Sequence, residues 1–172
     1  MQSDATARPP DQTGASARFR LQANERDVRR VLGRIMAHLG ERLAEPDRGT
    51  VEIVLAEVLN NIVEHAYARR PPGRVRLSLT RVAGGLCCRV EDDGHPMPSL
   101  VLPDGRLPEI TEDLDLLPEG GWGWGLIRSL TADLVYERTP RANRLTFRVP
   151  VRWNDHGGQN GATARDRHAA GG

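Results

Sequence analysis

The chain has 172 residues, with 24 Lys plus Arg against 23 Asp plus Glu, so its net charge is +1. That suits one domain of ordinary size and argues against a dedicated nucleic-acid binder. Every basic residue other than histidine is an arginine; with no lysine in the sequence, a P-loop, a eukaryotic-type kinase lysine and a Schiff-base amine are all excluded. The two cysteines, Cys87 and Cys88, are adjacent and would point to opposite faces of a strand, which disfavours a routine disulfide or a two-thiol metal clip. No signal-peptide pattern opens the sequence and no apolar run is long enough to span a bilayer, so a soluble, cytoplasmic chain is expected.

Residues 1–17 are rich in Pro, Ser, Thr and Gly without periodicity and read as a disordered arm. Residues 154–172 read as a similar tail, leaving 18–153 as the folded unit. Within it, Arg18–Leu21 alternates like a short strand. Asn24 caps a predicted helix running to about Ala44, with Val28, Val31, Leu32, Ile35, Leu39 and Leu43 at helical spacing. Pro46-Asp47 opens a second helix to about Tyr67. Arg74–Val82 and Leu86–Glu91 are predicted strands around a turn at Ala83-Gly84-Gly85. A long segment with five prolines spans Asp93–Gly120, a short helix covers about Trp124–Leu130, and Asp133–Arg138 with Arg144–Val151 form a last hairpin. Strands joined mainly by hairpins predict an α+β fold, a two-layer sandwich with helices on one face of a mainly antiparallel sheet. A structureless connection of that length inside such a fold reads as a lid, placed at about 94–120, or as a surface insertion.

Three motifs could carry chemistry. In the second helix, Glu57, Asn61 and His65 are spaced by four, along the edge of a stripe formed by Val51, Leu55, Val58 and Ile62. A carboxylate there could accept a proton and a carboxamide oxygen could bind Mg²⁺, although the polar flank of any amphipathic helix looks the same. At the end of the third strand, Glu91-Asp92-Asp93-Gly94 is either a plain turn or a carboxylate placed to accept from the exocyclic amine of adenine. Finally, Gly120-Gly121-Trp122-Gly123-Trp124-Gly125 runs into a helix, where backbone N–H groups can converge on phosphate without a lysine. A hinge has the same appearance, and no βαβ unit surrounds these glycines.

Taken together, Glu57–Tyr67, Val90–Pro96, Gly120–Leu126 and the ending Asn143–Phe147 resemble the ATP-binding fold shared by the gyrase B subunit, heat-shock chaperone ATPases and histidine-kinase catalytic domains. Within that superfamily the chain most resembles the stand-alone anti-sigma-factor serine kinases of bacterial partner-switching systems, over most of Arg18–Val151. The resemblance implies ATP and Mg²⁺ as cofactors, with Asn61 binding the metal and Glu57 matching the general base. It implies that Asp92 binds adenine with Gly94 beside the base, and that Gly121, Gly123 and Gly125 lie on the phosphate side, with Trp122 and Leu126 of the same motif. Thr146 is placed in support of the adenine pocket. His65 is grouped with the nucleotide residues, with packing against the lid as its role. Pro96 and Pro98 after the strand motif, and the bulky Trp122 and Trp124 between the glycines, depart from the pattern.

The implied activity is ATP-dependent phosphorylation of a serine on a separate anti-anti-sigma, STAS-domain partner, coupled to binding of a sigma factor. A homodimer through the sheet region near the N-terminus is implied as well, with no direct nucleic-acid or membrane contact. The alternative is a non-catalytic module in which ATP only shapes a surface that sequesters a regulator. The presence of Glu57 favours the kinase, because a purely structural nucleotide site has no need of that carboxylate.

Overall fold

Alternation along the strands and a period near 3.6 in the helices produce one buried layer between a sheet and its helices. The computed structural model describes residues 16–105 and 122–154. Strand β1 (Ser16–Gln22) is followed by α1 (Glu25–Leu39), α2 (Glu45–Asn61), β2 (Arg74–Val82) and β3 (Gly85–Asp92). Then come α3 (Trp122–Leu130), β4 (Ala132–Arg138) and β5 (Asn143–Val149). The five strands pair antiparallel in the order β1-β2-β3-β5-β4, and the helices lie on one face. The fold is therefore the expected α+β sandwich of two layers.

The sheet's inner face carries Val75, Leu77 and Leu79 from β2, Cys88 and Val90 from β3, and Leu145, Phe147 and Val149 from β5, all buried. They meet Val31 and Ile35 of α1 and Val51, Val54, Leu55 and Val58 of α2. Each such side chain withdrawn from water contributes roughly 1.5–3 kcal/mol, which makes this layer the main source of stability. Cys87 and Cys88 are both free thiols; Cys88 is buried in the core and Cys87 lies on the other face of β3.

The Asn24 side chain accepts from the Asp27 N–H at 2.9 Å and caps α1, as its position predicts. This helix stops at Leu39 rather than near Ala44. Gly40, at φ +46, ends it, and a 3-10 turn over Gly40–Arg42 leads to Leu43, which bridges Trp153. The second helix is α-helical only to Asn61 and widens into a π-turn over Ile62–Ala66. Both outer boundaries move. Ser16 and Ala17 pair with Thr80 and Leu79, so the sheet begins inside the expected arm. At the other end, Asn154 donates to the carbonyls of Glu41 and Leu43. The rest of both arms, and residues 106–121 of the expected lid, lie outside the described residues.

Candidate functional site

At the inner end of β3, Asp92 is 6% exposed. Burial pushes its carboxyl above the usual aspartate range, against the lowering effect of hydrogen bonds from Asn143 and Gly94 and of the nearby Arg138 charge. Its Oδ1 accepts from the Gly94 N–H at 2.9 Å and from Asn143 Nδ2 at 2.7 Å. Asn143 is the residue opposite Asp92 in β5 and is itself buried. The Asn143 amide also donates to the His95 carbonyl at 2.9 Å, while its Oδ1 accepts from the Tyr136 hydroxyl at 2.7 Å and Arg138 Nη1 at 2.9 Å. The Tyr136 hydroxyl accepts from the Met97 N–H, and Arg138 donates to the Gly94 carbonyl. One network thus fixes Asp92 and the first residues of the loop after it. Among the described residues, the hydrogen bonds to Asp92 all land on Oδ1, leaving Oδ2 for a ligand donor.

Gly94 is required by contact. A Cβ there would lie 2.6 Å from the Ala66 carbonyl oxygen and 2.8 Å from the Ala66 Cβ. The same carbonyl accepts from the His95 N–H at 2.7 Å, so the π-turn after α2 is tied to the strand end. Tyr67 adds a second tie: its hydroxyl donates to Asp93 Oδ1, and burial followed by that bond pushes its ionisation well above the ordinary tyrosine range.

On α2, Glu57 and Asn61 are half-buried. The Asn61 amide donates to the Glu57 carbonyl one turn back at 2.8 Å, which turns its Oδ1 away from the backbone bond. Neither that oxygen nor the Glu57 carboxylate has a hydrogen-bond partner among the described residues. Gly123 of α3 packs directly on the pair: a Cβ at that position would sit 2.5 Å from Glu57 Oε2 and 3.2 Å from Asn61 Nδ2. Trp122, Gly123, Trp124 and Gly125 are the first four residues of α3, so their N–H groups have no partner within the helix. The helix therefore presents its positive end beside a carboxylate and a carboxamide. Two loop residues hold α3 in place: Arg128 donates to the Pro103 carbonyl at 2.7 Å, and Gly105 approaches the Trp124 carbonyl closely.

Glu57, Asn61 and Gly123 are thus brought together, with Gly125 buried and Leu126 half-buried further along α3. The glycines lie within the first turn of α3 rather than before it, because the helix starts two residues earlier than the sequence suggests. Gly121 and the side chain of Trp122 lie outside the described residues. His65 does not continue the Glu57–Asn61 row. The π-turn breaks the spacing-of-four geometry, and His65 is exposed, with no hydrogen bond among the described residues. Thr146 is also misplaced by the sequence reading. It pairs with Arg89 and Val135 and points away from the helices, on the face opposite Asp92, so it cannot support a pocket there. The β5 residue that does reach Asp92 is Asn143. Its signal was a polar side chain at an inward position of β5, in register with Leu145, Phe147 and Val149.

Among the described residues no group of three or more His, Cys, Asp and Glu side chains could hold a metal ion, and no helix is long and apolar enough to cross a membrane. A Mg²⁺ ion held by one carboxamide oxygen and by phosphate oxygens fits that donor set.

The family described as Histidine kinase-like ATPase domain matches residues 20–149. The serine/threonine-protein kinase BtrW of Bordetella bronchiseptica is 30% identical over 110 residues, covering 63% of this chain and 75% of that protein. Among solved structures, the RsbU and RsbW domains of Rv1364c from Mycobacterium tuberculosis superpose with a TM-score of 0.53 at 16% identity. That match covers 80% of this chain but only 32% of the other, and it shows a shared fold.

Proposed function

The chain belongs to the histidine kinase-like ATPase domain family, and from that premise we propose that it is an anti-sigma-factor kinase that transfers the terminal phosphoryl group of ATP to a serine of a separate protein. The observation that carries this reading is the Glu57 carboxylate, without a partner among the described residues and held between Asn61 and the start of α3. In a site that only binds nucleotide, that carboxylate has no task.

Each part of the nucleotide has residues that suit it. Asp92 Oδ2 accepts from the adenine amine, and Gly94 leaves room for the ring against the backbone. The N–H groups at the start of α3 face the phosphate oxygens. Asn61 Oδ1 would hold Mg²⁺, which when bound neutralises charge on the triphosphate. Glu57 takes the proton of the acceptor hydroxyl as its oxygen bonds to the terminal phosphorus and the bond to the departing ADP breaks. Positioning and charge supply most of the rate in such a transfer, so the absence of lysine is no obstacle.

The acceptor we propose is a small STAS-domain anti-anti-sigma protein, with a sigma factor as the alternative partner. The proposed setting is the cytoplasm, as a homodimer joined near β1. The test is to incubate the chain with Mg-ATP labelled on the terminal phosphate and such acceptor proteins. Label is expected on a partner serine and is expected to vanish with Glu57→Gln, while ATP binding persists. A partner captured with ATP but never labelled would instead establish a non-catalytic binding module.

A further inference from the structure

The sheet face turned away from the helices is strongly basic. Register and alternation place Arg18 and Arg20 of β1 on it, next to Arg74 and Arg76 of β2. Arg89 of β3 and Arg144 and Arg148 of β5 continue it across the sheet. The acidic groups on this face are Glu91, Glu137 and Asp133, and they are consumed by Arg76, Arg144 and Arg148 at 2.8–3.6 Å. Arg18, Arg20, Arg74 and Arg89 are exposed and meet no carboxylate among the described residues. One transverse row, Arg18–Ser78–Arg89–Thr146–Val135, contains no acid at all. A face with four more arginines than acids contrasts with a whole-chain charge of +1. Among the described residues no helix covers it.

We infer that this face docks a protein surface or segment dense in aspartate and glutamate. Guanidinium groups match carboxylates in a two-pronged fork, and a five-stranded sheet roughly 19 Å wide at ordinary strand spacing presents them in rows. Two features select protein over other polyanions. Among the described residues the face carries no aromatic side chain on which bases could stack, since Phe19, Tyr136 and Phe147 all lie on the inner side. Val135, 52% exposed, is the only large hydrophobic side chain on it to offer a membrane among the described residues. A second copy laid face to face is disfavoured because the two basic faces would oppose each other; a homodimer joined at the edge strand β1 would leave this face open. The inference stands independently of catalysis.

The test uses the full chain and a fluorescein-labelled peptide of alternating glutamate and serine, followed by anisotropy over a salt series. Binding that weakens with salt, and that falls about tenfold or more in an Arg20→Glu/Arg89→Glu variant, is the expected result. An Arg26→Glu/Arg141→Glu variant, reversing exposed arginines elsewhere, should bind like the parent. Unchanged thermal unfolding of each variant shows that the fold persists, and milder Arg20→Gln/Arg89→Gln changes replace any variant that unfolds. Equal losses in both variants, or no peptide binding, would overturn the inference. Tighter binding of an oligonucleotide or of anionic phosphatidylserine vesicles through the same arginines would overturn it too. So would a dimer, seen by sedimentation, that dissociates when Arg20 and Arg89 are reversed.

Discussion

On the strand side of the site, Asp92, Asn143, Tyr136 and Arg138 satisfy one another in a closed network and pin the backbone of Gly94, His95 and Met97. On the helix side, the Glu57 carboxylate and Asn61 Oδ1 keep their lone pairs without partners among the described residues. Satisfied polar networks in low dielectric are rigid, which suits recognition of a fixed aromatic ring. Groups left unsatisfied at the border of core and solvent suit chemistry, because their partners arrive with the substrate. Changes on the helix side should therefore remove turnover with the fold intact, and changes on the strand side should act first on stability and affinity.

The largest expected effect is that of Glu57→Gln, which keeps shape and loses the proposed base. Phosphoryl transfer to a serine acceptor should fall by about 10²–10⁴, with ATP affinity within about twofold, by label transfer and fluorescence titration. Gly123→Ala comes next. The new methyl must push the Glu57 carboxylate aside, yet the atom it meets is the end of a flexible side chain. Transfer should drop about 10- to 100-fold, while alanine in a helix adds up to about 1 kcal/mol of stability. Activity and urea resistance moving in opposite directions would be the signature; an unchanged rate would remove Glu57 from the reaction.

On the strand side, Asn143→Ala removes one of the two donors to a buried carboxylate and strands the Tyr136 hydroxyl. A loss of about 2 kcal/mol is expected in urea unfolding, with weaker ATP binding. Asp92→Asn should do the reverse to stability. Because burial raises the Asp92 ionisation in the folded state, the folded chain binds that proton more readily than the unfolded chain. Stability therefore falls as pH rises from the ordinary aspartate range through the raised value, and the penalty is fully present above it. The asparagine variant lacks that fall. At neutral pH it should be more stable than the parent by about 1 kcal/mol, and it should bind ATP more weakly. Equal slopes of stability with pH in the two proteins would place the charge elsewhere.

Local patterns made much of this legible. The alternation of Val75, Leu77 and Leu79 against arginines sets β2 at Arg74–Val82, the bounds read from sequence, and Asn24 announces the start of α1. The spacing of Glu57 and Asn61 on one helix places them side by side. What escaped has no local signature. The π-turn after Asn61 depends on how Ala66 settles against Gly94 and His95, and it removes His65 from the row. The meeting of Asp92 with Asn143 requires β3 to pair with β5 across the long loop and α3, a contact between residues 51 apart in sequence. No hairpin rule reaches that far.

Thr146 supplies the smallest expected effect and the most direct check on that non-local pairing. It is three residues from Asn143 in the same strand, and strand alternation turns its side chain to the opposite face from the nucleotide end. Thr146→Val keeps the volume and the preference for a strand, and it removes a hydroxyl with no hydrogen bond among the described residues. ATP affinity should stay within about twofold and stability within about 0.5 kcal/mol, where Asn143→Ala changes both. A Thr146→Val variant that binds ATP as poorly as Asn143→Ala would require β5 to pair one residue out of register. That slip would turn Leu145 and Phe147 out of the core and bring Thr146 onto the inner face that carries Asp92.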